Sequence, residues 1–514
     1  MLVADYIVEY LARKGVKRAY GYPGSLAGFV MDALRKRSDL IANRLLYTEQ
    51  SCGFAAIGDS LVSGNPALCW ATSGPGATNL VTPIANAWLD SVPVIFLTAN
   101  VHSADSREAI GCAALRQNGN QELDIVSIVA PITKFAARID DPAKLCQILD
   151  QAWESATSGR KAPVLIDLPI DISRSETKAS FTSIAPKIRK HSQALQTIEA
   201  AIAAAKAPLI IAGAGIRQAG VSTAFCAWLT ERARRYPNLK VVVSLSAKDL
   251  AAQTRSEGVL GVWGNETANE ALKNADTVIA IGDRLSNRQL AAFGGALSCK
   301  VIRADIDEAE FSRKVTSGET IDLFCDLADL FEPSVAELPK RVFVSDVGQN
   351  MWRAARELTT QEGDRVLFSA GLGAMGFSLP TAIGAYYAAP DAEIIALCGD
   401  GGLQMSSEEL HFIAQHRLSI TAIVFNNGAL GLIRAFQERN FSGEFFSTTA
   451  DTGYLSPDWR ALAAAYGLDY YLFTPNKNAA RGDEIGAILA FAAELRKASS
   501  LPILIEAKVK PVYP

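Results

Sequence analysis

The sequence predicts an α/β protein built from three doubly wound parallel-sheet domains. Length is the first reason: 514 residues, at about 100–200 residues per domain, ask for about three of them. The second is a recurring alternation of short apolar runs with longer helix-like stretches, the mark of parallel strands joined by crossover helices. The third is that this alternation comes in three blocks. Two polar stretches separate them: Ser173–Gln193, rich in Ser, Thr and Lys, and the region around Phe331–Arg341, with two prolines. The blocks are residues 1–175, 190–332 and 340–514.

In the first block the strand candidates are Ala67–Ala71, Val94–Thr98 and Val164–Leu168. The central block offers Leu209–Ala212, Val241–Ser244, Thr277–Ile281 and Val301–Ala304, and the last Ile394–Cys398, Thr421–Phe425 and Ile503–Glu506. Ligands of such sheets are expected at the carboxyl ends of the strands.

Composition excludes several functions. Hydrophobic residues make up 49% and charged residues 20%, which suits neither a disordered nor a fibrous chain. Lys and Arg total 50 against 54 Asp and Glu, without a basic run, so no nucleic-acid partner is expected. No apolar run approaches a membrane span. The segment Met1–Lys14 holds Asp5 and Glu9 and resembles no targeting peptide, so a cytoplasmic address follows by default. Eight scattered cysteines are expected to be reduced and mostly buried, and four histidines, two of them His411 and His416, do not suit a zinc site or a histidine-based hydrolase.

The strongest local signal is Ile394-Ile-Ala-Leu-Cys-Gly-Asp-Gly-Gly402, followed by Ile423-Val-Phe-Asn-Asn-Gly428. Each motif ends a strand candidate, and Asn427 follows Asp400 by 427 − 400 = 27 residues, the length of one strand–helix–strand crossover. That spacing returns Asp400 and Asn427 side by side at the sheet's carboxyl edge. With the Ala429 carbonyl they offer hard oxygen ligands for Mg²⁺, while Gly399, Gly401 and Gly402 let backbone N–H groups approach a diphosphate. Either motif alone reads equally as a turn.

In the first block, Tyr20-Gly-Tyr-Pro-Gly24, Leu46-Tyr-Thr-Glu-Gln50, Ala71-Thr-Ser-Gly-Pro-Gly-Ala-Thr-Asn79 and Asp90-Ser-Val-Pro-Val-Ile95 occur in this order. With the last-block motifs they resemble the acetolactate synthase group of thiamine diphosphate enzymes over essentially the whole chain. The resemblance implies a pyrimidine-binding, a central and a diphosphate-binding domain. It makes Glu49 the cofactor-activating carboxylate: hydrogen-bonded to N1′ of the aminopyrimidine, such a group favours the imino tautomer, whose 4′-nitrogen takes the proton from C2.

By the same resemblance Pro23, Gly24, Ser73, Gly74, Gly76 and Asn79 contact the cofactor from the first domain, and Gln121 lies near the substrate. Gly348 and Gln349 lie near the diphosphate. Gly373 and Met375, in Ser369-Ala-Gly-Leu-Gly-Ala-Met-Gly-Phe-Ser-Leu-Pro380, grip the aminopyrimidine, and Leu430 follows the metal motif. Lys134 matches a family lysine, with an exposed lysine as the competing reading. The family's active centres lie between subunits, which implies a homodimer or homotetramer.

The chain departs from the family's usual pattern at substrate positions. Ser25 stands for a second glycine after Pro-Gly, Thr48 for a histidine, and Ala435 and Phe436 for a glutamine and a tryptophan. In the central block Trp263 replaces a histidine, and Ser286 and Asn287 replace acidic residues of the flavin-binding pattern, so FAD stays open. The implied reaction removes CO₂ from a 2-oxo acid such as pyruvate and transfers the two-carbon unit to an acceptor carbonyl. A simple 2-oxo acid decarboxylase, a carboligase for a specialised acceptor such as a keto-sugar, and a non-catalytic cofactor-binding protein remain as alternatives.

Overall fold

The computed structural model describes residues 1–179, 181, 193–334, 337–474 and 484–510. Seventeen strands form three sheets, and every ladder within them is parallel. The first holds β1 (Arg18–Gly21), β2 (Ala42–Arg44), β3 (Ala67–Ala71), β4 (Val94–Asn100), β5 (Phe135–Arg138) and β6 (Val164–Pro169). The central sheet holds β7 (Pro208–Ala212), β8 (Lys240–Val243), β9 (Thr277–Ile281), β10 (Lys300–Asp305) and β11 (Thr320–Phe324). The last holds β12 (Arg341–Ser345), β13 (Asp364–Phe368), β14 (Glu393–Gly399), β15 (Ile420–Asn426), β16 (Asp469–Phe473) and β17 (Ile503–Lys508).

The outer sheets share one topology, β2-β1-β3-β4-β6-β5 and β13-β12-β14-β15-β17-β16. The central order is β11-β10-β9-β7-β8. In each sheet the winding reverses direction between two neighbouring inner strands, β1 and β3, β7 and β9, and β12 and β14, and a crevice opens there at the carboxyl edge. Inner strands such as β3, β4, β6 and β15 are buried at every residue, because helices cover both faces of a parallel sheet.

The ten expected strands are present, with ends shifted by up to two residues. The other seven, β1, β2, β5, β11, β12, β13 and β16, were not anticipated. Most are short or at a sheet edge, where one side stays wet and the apolar run is broken: β2, β5, β11 and β16 have no fully buried residue. Most of the polar stretch Ser173–Gln193 lies outside the described residues. His411 lies within the helix Glu408–Gln415 and His416 caps it. All eight cysteines are free, but only four are buried and Cys112 is exposed. Among the described residues no helix is long and apolar enough to cross a membrane.

The outer sheets are joined by one hydrophobic core running from Phe54 and Ile57 to Phe377, Ile383 and Trp459. At its centre the helix Glu49–Ser63, with eleven buried residues, crosses the helix Ser378–Ala388. Thr48 starts the first helix by accepting the Ser51 N–H at 3.1 Å, and Gly64 ends it in the left-handed conformation at φ 74°. The crossing is closed by glycines: a Cβ on Gly58 would lie 2.1 Å from the Thr381 carbonyl oxygen, and one on Gly384 1.8 Å from that of Ala55. Phe54 meets Phe377 edge-on with centroids 5.5 Å apart.

Candidate active site

At the reversal of the first sheet, the turns after β1 and β3 face the start of the helix Glu49–Ser63. Glu49 is its first residue, and Asn79 Nδ2 donates to Glu49 Oε2 at 2.9 Å. A side chain on Gly76 would begin 3.2 Å from Glu49 Oε1 and 2.9 Å from Thr72 Cγ2, so glycine keeps that face of the carboxylate clear. Gly24 packs on Thr72, where a Cβ would stand 2.4 Å from the Thr72 Cβ. Pro23 and Ser25 on either side are exposed. Glu49 is half-buried in the single chain.

Gln121 comes to the same edge in a strained conformation, φ 67°, uncommon for a residue with a side chain. The Ser73 hydroxyl holds it by donating to the Gln121 carbonyl, and Gly74, at φ 61°, lies directly against it. Beneath, Asn100 Nδ2 donates to Asp167 Oδ2 at 2.7 Å and to the Leu123 carbonyl at 3.0 Å, and Thr98 donates to Asp167 Oδ1 at 2.8 Å. Burial pushes the Asp167 carboxyl up to about 7 against the pull of those two donors.

Lys134 is placed elsewhere. It precedes β5, at the amino edge of the sheet, and its Nζ donates to the carbonyls of Ser158 at 2.7 Å and Arg160 at 2.9 Å.

At the reversal of the last sheet the glycine turn after β14 meets the turns after β12 and β15. Asp400 is buried and opens the helix Asp400–Gln404, its Oδ1 accepting the Gly401 N–H at 3.0 Å. Oδ2 and the Tyr454 hydroxyl are both buried and face each other without a well-formed hydrogen bond. Burial raises the Asp400 carboxyl to about 6. An anionic oxygen left buried and unpaired is costly unless a cation or donor comes to it.

Met375 Cε, a Leu430 methyl and the Tyr454 hydroxyl converge on Gly401, where a Cβ would fall 3.2, 2.8 and 3.4 Å from them. Asn427 Oδ1 accepts the Ala429 N–H at 3.0 Å and its Nδ2 donates to Gln349 Oε1 at 3.0 Å. Gly348, at φ 71°, turns the chain into the helix carrying Gln349. Gly399 packs on Asn350, where a Cβ would lie 2.5 Å from Nδ2. Gly373 is exposed at φ 74°. Phe436 sits 55% exposed on the helix Gly431–Asn440, edge-on to Phe441 at 5.7 Å.

Asp346 opens the Asp346-Val-Gly-Gln349 segment, which by resemblance lies near the diphosphate, whereas Tyr454 carried no assignment from the sequence. Asp346 is fully buried: its Oδ1 accepts the Val347 N–H at 2.8 Å, its Oδ2 the Gly376 N–H at 3.2 Å, and a Cβ on Gly402 would lie 2.1 Å from Oδ2. It thereby locks the glycine turn to the Met375 segment, and its only sequence signal is an acid ending a strand before Val-Gly-Gln. Tyr454 comes from a loop with no motif.

The first and last domains are fastened together within the chain. The Ser369 hydroxyl donates to Asn86, and the Gly371 N–H to Asp90 Oδ1 at 2.8 Å. At the central reversal, between β7 and β9, lies a cavity of about 790 Å³ with Arg217, Arg284, Arg288 and Asp305 in its wall. The Arg288 guanidinium lies over Trp263, 4.4 Å from the ring centroid, and donates to the Ala370 carbonyl at 3.3 Å.

Two glycine turns at matching reversals of two like-ordered sheets, one beside the Glu49 carboxylate and one beside the buried Asp400, suit a cofactor-dependent enzyme. Family models for thiamine pyrophosphate enzymes match in order: the N-terminal TPP binding domain at residues 1–128, the central domain at 195–332 and the C-terminal TPP binding domain at 346–507. The chain belongs to this family and is a thiamine diphosphate-dependent enzyme. It is 32% identical to the acetolactate synthase isozyme 1 large subunit of Escherichia coli, covering 91% of this chain and 88% of that one. An acetolactate synthase of Arthrospira platensis is 31% identical over 90% and 88% of the two chains, and a probable acetolactate synthase large subunit of Methanocaldococcus jannaschii 31% identical over 90% and 86%.

Proposed function

We propose that the protein removes CO₂ from pyruvate or a related 2-oxo acid and joins the two-carbon unit to an acceptor carbonyl, as an acetolactate synthase-like carboligase. The observation that carries this is the pair of half-sites: Glu49, hydrogen-bonded to Asn79 over Gly76, and Asp400, a buried carboxyl with no cationic partner, in the Gly399–Gly402 turn. Thiamine diphosphate, when bound, supplies a thiazolium that stabilises the negative charge left on the donor carbon as CO₂ departs.

Glu49 would hold the cofactor's pyrimidine ring and share a proton with it. Asp400, Asn427 and the Ala429 carbonyl would hold Mg²⁺, for which an all-oxygen set with open positions is suited. The N–H groups of the Gly399–Gly402 turn, with Gly348 and Gln349, would face the diphosphate. Met375 and Leu430 would support the ring system, and Gln121 would orient the substrate. Ser25 and Phe436 would border the acceptor. Lys134 has no part in this reading.

The two half-sites would meet across a homodimer, or pairs of dimers. The exposed apolar side chains Met405, Phe436, Phe441, Phe446 and Leu455 on the diphosphate half-site's domain support an interface there. FAD is proposed for the central cavity, whose volume suits a cofactor and whose arginines suit its phosphates. The eight free thiols favour the cytoplasm.

The deciding experiment supplies thiamine diphosphate, Mg²⁺ and pyruvate, with and without a panel of acceptor carbonyls, and identifies the products by mass spectrometry. Acetolactate or an acceptor adduct is expected; acetaldehyde alone means a decarboxylase, and no turnover of any 2-oxo acid removes the reading. Glu49→Gln should still bind cofactor but lose exchange of its C2 proton. Asp400→Ala should lose Mg²⁺-dependent cofactor retention. Absence of flavin absorbance and of titratable FAD binding would leave the central domain a structural role.

A further inference from the structure

We infer that Glu409 is a positioning residue for Glu49, so that the metal turn of one active centre and the activating glutamate of the other are carried on one rigid piece of each chain. This rests on the divided, dimeric site proposed above. Glu409 lies on the helix Glu408–Gln415, nine residues beyond Asp400, and is 0% exposed. Its Oε1 accepts the N–H of Tyr47 at 3.0 Å, and the carboxyl also lies against the Thr48 amide and the Ser51 hydroxyl.

The same helix grips Tyr47 in three further ways. His411 stacks on its ring at 5.6 Å and 22°, Phe412 meets the ring edge-on at 6.4 Å, and Gln415 Oε1 accepts its hydroxyl at 3.0 Å. Tyr47 is followed by Thr48, the helix cap, and then by Glu49, the first helical residue. A cap and the residue before it decide where a helix begins and how its first side chain is aimed. Fixing the Tyr47 main chain therefore fixes the direction of Glu49.

A buried carboxyl is an expensive way to fill a core, and a leucine here would leave the Tyr47 N–H unsatisfied. Burial raises the Glu409 carboxyl to about 8, so near neutrality it is a neutral acid whose role an amide can take over. The path from Asp400 through this helix to Tyr47 and Glu49 thus runs inside one chain, while the cofactors it serves would be two.

The test uses the full-length protein with thiamine diphosphate and Mg²⁺, measuring C2 proton exchange by NMR at saturating cofactor and cofactor Kd by fluorescence titration. Glu409→Ala should slow exchange about 10- to 100-fold, the scale of a misplaced reacting group, with Kd changed less than about 3-fold. Glu409→Gln, which keeps an acceptor for the Tyr47 N–H, should restore exchange to within about 3-fold of wild type. Wild-type exchange in Glu409→Ala overturns the inference, and so does a loss confined to Kd, because Glu409 would then support only the metal turn. If Glu409→Ala does not fold, Gln415→Ala carries the test from the exposed side: a roughly 3-fold slowing supports the inference and an unchanged rate overturns it. Absence of exchange in the wild type sinks the thiamine reading itself, and this one with it.

Discussion

A methyl group added at residue 384 tests the contact on which the joined outer domains depend. In Gly384→Ala the new Cβ would start 1.8 Å from the Ala55 carbonyl oxygen and 2.6 Å from its carbon. Both are main-chain atoms of a buried helix and cannot swing aside. Ordinary contact needs roughly 3.4 Å or more, so the helices Glu49–Ser63 and Ser378–Ala388 must part by about 1.5 Å, and a gap of even 0.5–1 Å forfeits a quarter to a half of each dispersion contact across it. Overpacking of this kind costs about 3 kcal/mol, the upper part of its usual range. Alanine's better helix propensity returns about 1 kcal/mol. The net loss of about 2 kcal/mol should lower the melting temperature by roughly 2–3 °C in scanning fluorimetry. Gly28→Ala is the control, since nothing lies within 4 Å of a Cβ there, and it should melt within about 1 °C of wild type. Gly384→Ala melting with wild type would refute the close-crossing argument.

Three further outcomes are expected. Asp167 ionises in the folded state only near pH 7, against 3.8 as its ordinary value, so its contribution is complete below pH 4 and is lost as pH rises through 7; Asp167→Asn should flatten stability against pH in that window by up to about 1.4 kcal/mol per unit, read from urea midpoints. Gln121→Gly relieves the left-handed backbone and should leave stability unchanged or raise it by about 1 kcal/mol in the same assay, while turnover collapses if the side chain serves the substrate. Lys134→Met should lower stability by about 1 kcal/mol through the two unbonded carbonyls and leave KM for the 2-oxo acid unchanged; a large rise in KM would return Lys134 to the site.

The sequence made the inner strands legible because their two faces are dry, so Ala67–Ala71 and Leu209–Ala212 stand out as unbroken apolar runs. Edge strands such as Ala42–Arg44 and Thr320–Phe324 keep one face in water and do not. The glycine turns were legible for a different reason: a backbone that must approach a ligand excludes side chains, which leaves a composition no packing demand would produce. Tyr454 and Glu409 escaped, and Asp346 was placed only by its segment and not by its role, because their significance is purely tertiary. Each is an ordinary residue type until the fold brings it against Gly402, Asp400 or Tyr47. Glu49 illustrates the limit from the other side, since its motif was plain while the single chain leaves it half-buried.

The core shared by the outer sheets also sets a timetable for synthesis. The helix Glu49–Ser63 packs against Ser378–Ala388, so the amino-terminal domain emerges from the ribosome with its central helix lacking the surface it needs. At about 5–20 residues per second, the missing partner follows some 15–65 s later. The intervening central domain, with its own sheet, can collapse in that time, whereas Phe54, Ile57 and the glycine-lined face of the first helix stay open to solvent and to neighbouring nascent chains. Expression yield should therefore respond to slow translation of residues 64–377, and to the supply of chaperones that shield apolar helices, more than the stability of the finished protein would suggest.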